Sequence, residues 1–189
     1  MSLIDDNCNI ILIGSSTGGL PIVELLLKKI NVEKFSVLIA QHMPEGFTGQ
    51  WAERLNSHTP FEVSEAVQGD VVSPGRAFVA PGNKHLLLTS RYRLALSSGP
   101  HVNRFRPSID VLFESALDYP MEKIFALILS GMSADGVKGI ISLKENGAVT
   151  IAQNEETSAV FGMNKEAIQK GGVSHVMSPD EMIEFFNRM

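Results

Sequence analysis

Ser16, His42 and Asp135 are the residues of this chain whose types and placement could do chemistry together. Gly14-Ser15-Ser16-Thr17-Gly18 fits G-x-S-x-G, a spacing that lifts a serine hydroxyl above the end of a strand, beside the backbone N–H groups of a helix N-terminus. His42 follows the apolar run Phe35 to Ala40, and Asp135 follows the most apolar run, Ile124 to Leu129. A nucleophile, a base and an orienting carboxylate are what serine-type acyl transfer requires. Each residue also has a plainer reading. Ser16 could sit in a hydroxyl-rich helix cap without chemistry, His42 could be a turn residue, and Asp135, before Gly136, could cap the helix that follows it.

Other chemistries fit less well. Gly14 and Gly19 have P-loop spacing, but Leu20 and Pro21 stand where the phosphate-binding Lys and the Mg-binding hydroxyl belong. No G-x-G-x-x-G is present, the histidines lack metal-ligand spacing, and Cys8 is the single cysteine, so no metal and no cofactor is expected. His58, His85, His101 and His175 do not follow a central parallel strand; His42 does.

The elements that must position these residues alternate. The β-branched run Ile10 to Ile13 stops at Gly14, and Leu20, Val23, Leu26 and Ile30 then recur at helical spacing, with Pro21 tolerable in the first turn. Further strands are predicted at Phe35–Ala40, Ile124–Leu129, Ala148–Ala152 and Val173–Met177. Helices are predicted at Phe47–Asn56, Ser108–Leu117, Val137–Glu145, Asn164–Lys170 and Pro179–Asn187. Between residues 61 and 97, short runs broken by Gly69-Asp70, Ser73-Pro74-Gly75 and Pro81-Gly82-Asn83 predict a small antiparallel hairpin excursion. Strand-helix alternation gives the fold class: α/β, a doubly wound, mostly parallel sheet with helices on both faces. Ligands bind such sheets at the carboxyl ends of the strands, where Ser16, His42 and Asp135 all fall.

At 189 residues and 44% hydrophobic composition, the chain reads as one globular domain, 1–189, with no linker or repeat. A net charge of −5 without a Lys/Arg cluster excludes an electrostatic case for nucleic acid or an anionic membrane surface. The segment Met1 to Asn9 carries Asp5 and Asp6 and lacks an apolar core, so no signal peptide and no membrane insertion are expected; with a lone Cys8 this fits a reducing cytoplasm.

Five blocks, Ile13–Gly19, Gln41–Thr48, Val102–Phe113, Ser130–Gly136 and Ala152–Met163, closely resemble the CheB family, the protein-glutamate methylesterases of bacterial chemotaxis. The resemblance implies hydrolysis of glutamate methyl esters on the cytoplasmic helices of methylated chemoreceptors, with release of methanol, and in some members deamidation of receptor glutamines. Carried over by position, it makes Ser16 the nucleophile, His42 the base and Asp135 its orienting partner, with the backbone N–H groups of Thr17 and Met132 as the oxyanion hole. A doubly wound parallel sheet is implied too. Arg106, in N-R-F-R-P-S, is the expected substrate-binding residue, its alternative being a surface arginine flanking a helix.

The chain departs from the family pattern at Ser15, Ser133 and Asn164, where Ala, Gly and Pro are usual. Serine at 133 would be strained if that position required positive φ, and Asn164 is expected to be peripheral. A non-catalytic binding module on the same fold, hinted at by Ser133, and a hydrolase of other small esters or amides are the alternative functions. Many family members carry an N-terminal receiver domain, and no phosphorylatable receiver fits ahead of the first strand here, so activity independent of a phosphodonor is expected.

Overall fold

The run that stops at Gly14 is the axis of the sheet. In the computed structural model, which describes residues 8–89 and 92–189, it forms β1 (Asn9–Ser15), followed by α1 (Leu20–Lys29) and β2 (Phe35–Gln41). The expectation for Asp5 and Asp6 lies outside the described residues. The chain continues through α2 (Thr48–His58), β3 (Glu62–Glu65), β4 (Arg76–Val79), β5 (His85–Thr89), β6 (Arg93–Ser97) and α3 (Ile109–Ser115). It ends with β7 (Ile124–Ile128), α4 (Val137–Glu145), β8 (Val149–Gln153), α5 (Met163–Gln169), β9 (His175–Met177) and α6 (Pro179–Arg188).

Seven strands form one sheet in the order β3-β4-β2-β1-β7-β8-β9, all paired in parallel. Every residue of β2 and β7 is buried, which explains why both read as unbroken apolar runs rather than alternating ones. Side-chain alternation divides the core. Ile10 and Leu12 of β1 pack with α3, α4, α5 and the β5–β6 hairpin, while Ile11 and Ile13 pack with α1, α2 and α6. Each such fully buried side chain contributes about 1.5–3 kcal/mol. Local signals agree with the packing at α6, where Ser178 and Glu181 form a reciprocal capping box ahead of Pro179.

The antiparallel excursion is narrower than its sequence range of 61–97. Among the described residues β5 and β6 are its antiparallel strand pair, joined by a single antiparallel bridge between Val71 and Arg93; β3 and β4 join the main sheet, with Val63 opposite Ala77 and Ala77 opposite Val37. Gly69-Asp70 and Ser73-Pro74-Gly75 are the turns of a helix-free crossover, whose Ala66 and Val72 are buried against the sheet. Hairpins and crossovers need the same turn residues, so turn chemistry alone does not distinguish them.

Candidate active site

From β2 the chain winds outward to β4 and β3, then returns to β7 on the opposite side of β1. The crevice at the carboxyl ends of β1 and β7 is therefore the point where the winding reverses, the usual ligand site of an open parallel sheet. Backbone hydrogen bonds prolong the ladder past the strand ends: Leu129 N–H donates to Gly14 O, Ser16 N–H to Ser130 O, and His42 N–H to Ser15 O. The residues following three neighbouring strands are thus held side by side. Gly131 must lack a side chain here, because a Cβ would come 2.7 Å from Ser16 Cβ.

Ser16, His42 and Asp135 meet. His42 Nδ1 lies 3.2 Å from Ser16 Oγ, and His42 Nε2 lies 2.7 Å from Asp135 Oδ2. An ionised carboxylate only accepts, which places the imidazole proton on Nε2 and leaves the Nδ1 lone pair facing the serine hydroxyl. Phe105 stacks flat on the imidazole, with ring centroids 3.6 Å apart and planes 1° from parallel. Gln41 Nε2 donates to the carbonyls of Ser16 and His42, tying both residues to one side chain.

Asp135 is fully buried. Its Oδ2 accepts from His42 Nε2 and the Ile109 N–H, and its Oδ1 from Ser108 Oγ, Asn103 Nδ2 and the Asp110 N–H. Burial alone pushes this carboxyl up, but the hydrogen bonds from His42, Ser108, Asn103 and Ile109 outweigh it and hold it below the usual carboxylate range. The plainer reading of Asp135 was a cap on the helix after it. That helix, α4, begins at Gly136 in the left-handed conformation, φ +92°, without a side-chain cap; Asp135 instead caps α3.

The N–H groups of Thr17 and Met132 have no intramolecular acceptor among the described residues, and both residues are exposed. Ser133 is free of strain: it is absent from the positive-φ residues, and its Oγ accepts from the Asp135 N–H at 3.2 Å. Asn164 is fully buried rather than peripheral, its Nδ2 donating to Gln153 O and Ser158 Oγ. Ser15 Oγ, by contrast, is buried without a partner. Arg106 flanks a cleft of about 280 Å³ beside His42, but its guanidinium donates to Asn83 Oδ1 and the carbonyls of Ser98 and Gly99. Those bonds bind loops together and leave the substrate-binding expectation without geometric support. Among the described residues no group of His, Cys, Asp and Glu could hold a metal ion, and no helix is long and apolar enough to cross a membrane.

A family model described as CheB methylesterase matches residues 11–186. The chain belongs to the CheB methylesterase family. It is 47% identical over 92% of its length to a protein-glutamate methylesterase/protein-glutamine glutaminase of Geobacter metallireducens, of which it covers 48%. With the protein of that name from Salmonella typhi it shares 45% identity over 89% of its length and 49% of the relative. The chain therefore spans about half the length of these curated relatives. The crystal structure of the Thermotoga maritima CheB methylesterase catalytic domain superposes with a TM-score of 0.90 at 34% identity, covering 95% of this chain and 97% of that one. The CheB fold thus extends over nearly all of the described chain. Sequence reasoning singled out the three meeting residues but missed Phe105, Asn103, Ser108 and Gln41. Phe105, Asn103 and Ser108 stand in the block Val102–Phe113 and Gln41 directly precedes His42, but no short-range pattern pointed to contacts across loops.

Proposed function

We propose that this chain is a serine hydrolase that cleaves glutamate γ-methyl esters on chemoreceptor helices, and that the same site can deamidate glutamine side chains. The observation that carries the reading is the unbroken line from Ser16 Oγ through the His42 ring to the buried Asp135. Ser16 Oγ attacks the ester carbonyl while His42 Nδ1 takes its proton, and Asp135 stabilises the imidazolium that forms. The N–H groups of Thr17 and Met132 donate to the developing oxyanion, where preorganised donors act most strongly. Collapse expels methanol, which takes the proton from His42 and leaves a glutamyl ester on Ser16. Water, deprotonated by His42, then attacks that ester, and the glutamate carboxylate and free Ser16 are released. Ammonia replaces methanol when the substrate is an amide.

His42 lines a shallow, open cleft rather than a deep cavity, which suits a side chain presented on the surface of another protein. A larger hollow of about 640 Å³ lies between β9 and α6, lined by residues that take no part in this chemistry. Ser133 no longer favours an inactive module, since it is unstrained. The test is methanol release from methylated receptor membranes, run beside Ser16→Ala. That variant should fold normally and lose nearly all turnover, on the order of 10⁶ in kcat as in serine proteases without their nucleophile. Methanol release by Ser16→Ala at more than a small fraction of the parent rate refutes the mechanism.

A further inference from the structure

Residues 102–105 form a two-residue reverse turn. The Val102 N–H donates to Phe105 O at 3.1 Å and the Phe105 N–H to Val102 O at 2.8 Å, with Asn103 and Arg104 at its tip at φ +51° and +74°. Positive φ at both central residues is the type I′ arrangement, which Asn tolerates far better than Arg does. A conformation of this kind costs on the order of a kcal/mol at a non-Gly residue and persists where its surroundings enforce it. What the turn achieves is visible at its two ends. Asn103 Nδ2 donates to Asp135 Oδ1 at 3.0 Å and to Asp110 Oδ2 at 2.7 Å, while Phe105 lies flat on the His42 ring.

We infer that Asn103 and Phe105 are positioning residues, a clamp in which one tight turn fixes the orienting carboxylate with an amide and the plane of the general base with an aromatic ring. The two contacts act on different degrees of freedom. Asp135 is already held by Ser108 and the α3 backbone, all from one side of the chain; Asn103 adds a donor from the turn, which couples the carboxylate to the segment bearing Phe105. The His42 ring is aimed by its two hydrogen bonds, but these leave it free to tilt about the line joining its nitrogens. A parallel ring at 3.6 Å blocks that tilt.

The inference rests on the serine-hydrolase reading, and a probe that ignores the identity of the natural substrate separates the two. The purified chain is treated with a fluorophosphonate, which phosphonylates an activated serine, and assayed on a small acyl ester. Asn103→Gly keeps a residue suited to φ +51° and removes only the amide. It should lower the labelling rate and kcat about tenfold or more with KM nearly unchanged, and lower the melting temperature through the two lost carboxylate hydrogen bonds. Phe105→Leu keeps apolar bulk and should lose a similar factor, whereas Phe105→Tyr keeps the ring and should recover most of the rate. Labelling of both Asn103→Gly and Phe105→Leu at the parent rate overturns the clamp while leaving the hydrolase reading intact. Equal losses for Phe105→Leu and Phe105→Tyr also overturn it, because ring stacking would not be the cause. A parent chain that is not labelled at all overturns the hydrolase reading and the clamp with it.

Discussion

Asp135→Asn exchanges an ion for an amide of nearly the same shape at a fully buried residue. Asp135 Oδ2 faces His42 Nε2–H and the Ile109 N–H; Oδ1 faces donors from Ser108, Asn103 and Asp110. An asparagine has one oxygen, so its NH₂ must point at one of these two sets. Turned toward His42, it forces the tautomer in which Nε2 accepts and Nδ1 carries the proton, and Ser16 loses its base. Turned the other way, it keeps the tautomer but leaves the imidazolium without a carboxylate. Either arrangement should cost up to roughly 10⁴ in kcat, the scale of the same exchange in a serine-protease triad, or about 5 kcal/mol. Either also leaves at least one buried donor unpaired, at about 1–3 kcal/mol, which in a domain of this size lowers the melting temperature by roughly 2–12 °C. Activity and stability should therefore fall together. Because hydrogen bonding outweighs burial and lowers the Asp135 carboxyl, its ionised form contributes stability above about pH 4 that is lost as pH falls through the lowered value. The stability gap between parent and variant should close in acid. The assays are kcat on methylated receptor and thermal melts across pH; a variant within tenfold of the parent kcat refutes the triad, and lost activity at an unchanged melting temperature refutes the capping of α3.

Three further outcomes follow from contacts already described. Gly131→Ala should abolish most turnover, because the new methyl meets Ser16 Cβ, and normal kinetics would show that the loop has room to yield. Arg106→Ala should lower stability by about 1–3 kcal/mol through lost loop hydrogen bonds, seen as a lower melting temperature, with KM changed little; a raised KM at unchanged kcat and stability would favour the substrate-binding role. Burial raises the Asp110 carboxyl, the Asp135 charge adds to this, and the Gly139 N–H opposes it, so its contribution to stability is full below the ordinary carboxylate value and lost as pH rises through the raised one. Melts of Asp110→Asn should accordingly gain on the parent as pH rises above about 4, and a difference that stays constant with pH would contradict the shift.

What the sequence made legible is what short-range pattern encodes. Ser16, His42 and Asp135 could be grouped because each follows an apolar run, and the carboxyl ends of neighbouring parallel strands share an edge. Beyond that, the readable signal thins. Turn residues at Gly69 and Gly75 serve a crossover as well as a hairpin, so β3 and β4 were assigned the wrong pairing. Asn164 looked peripheral because its partners, Gln153 O at the end of β8 and Ser158 Oγ in the loop after it, are met across a path that no periodicity reports. Arg106 carried the charge that draws attention in its block, yet Asn103 and Phe105 beside it touch the triad.

The two buried carboxylates near the site show how one packing arrangement assigns opposite properties to like groups. Asp135 precedes α4 but accepts from the first turn of α3; Asp110 belongs to α3 but accepts from the Gly139 N–H in the first turn of α4. Each helix is thus capped by a carboxylate from the other's segment, which ties α3 to α4. Their environments then diverge. Asp135 has donors on both oxygens, including a histidine and a serine hydroxyl, and is lowered despite burial, whereas Asp110 has the Gly139 N–H and Asn103 and is raised by burial with the Asp135 charge beside it. Asp135, the one of the pair that faces the imidazole, is therefore the more readily ionised. Asn103, bonded to both, links the acid that faces His42 to the one that caps α4, so on the proposed mechanism the contacts that order this corner of the fold also hold the carboxylate that orients the base.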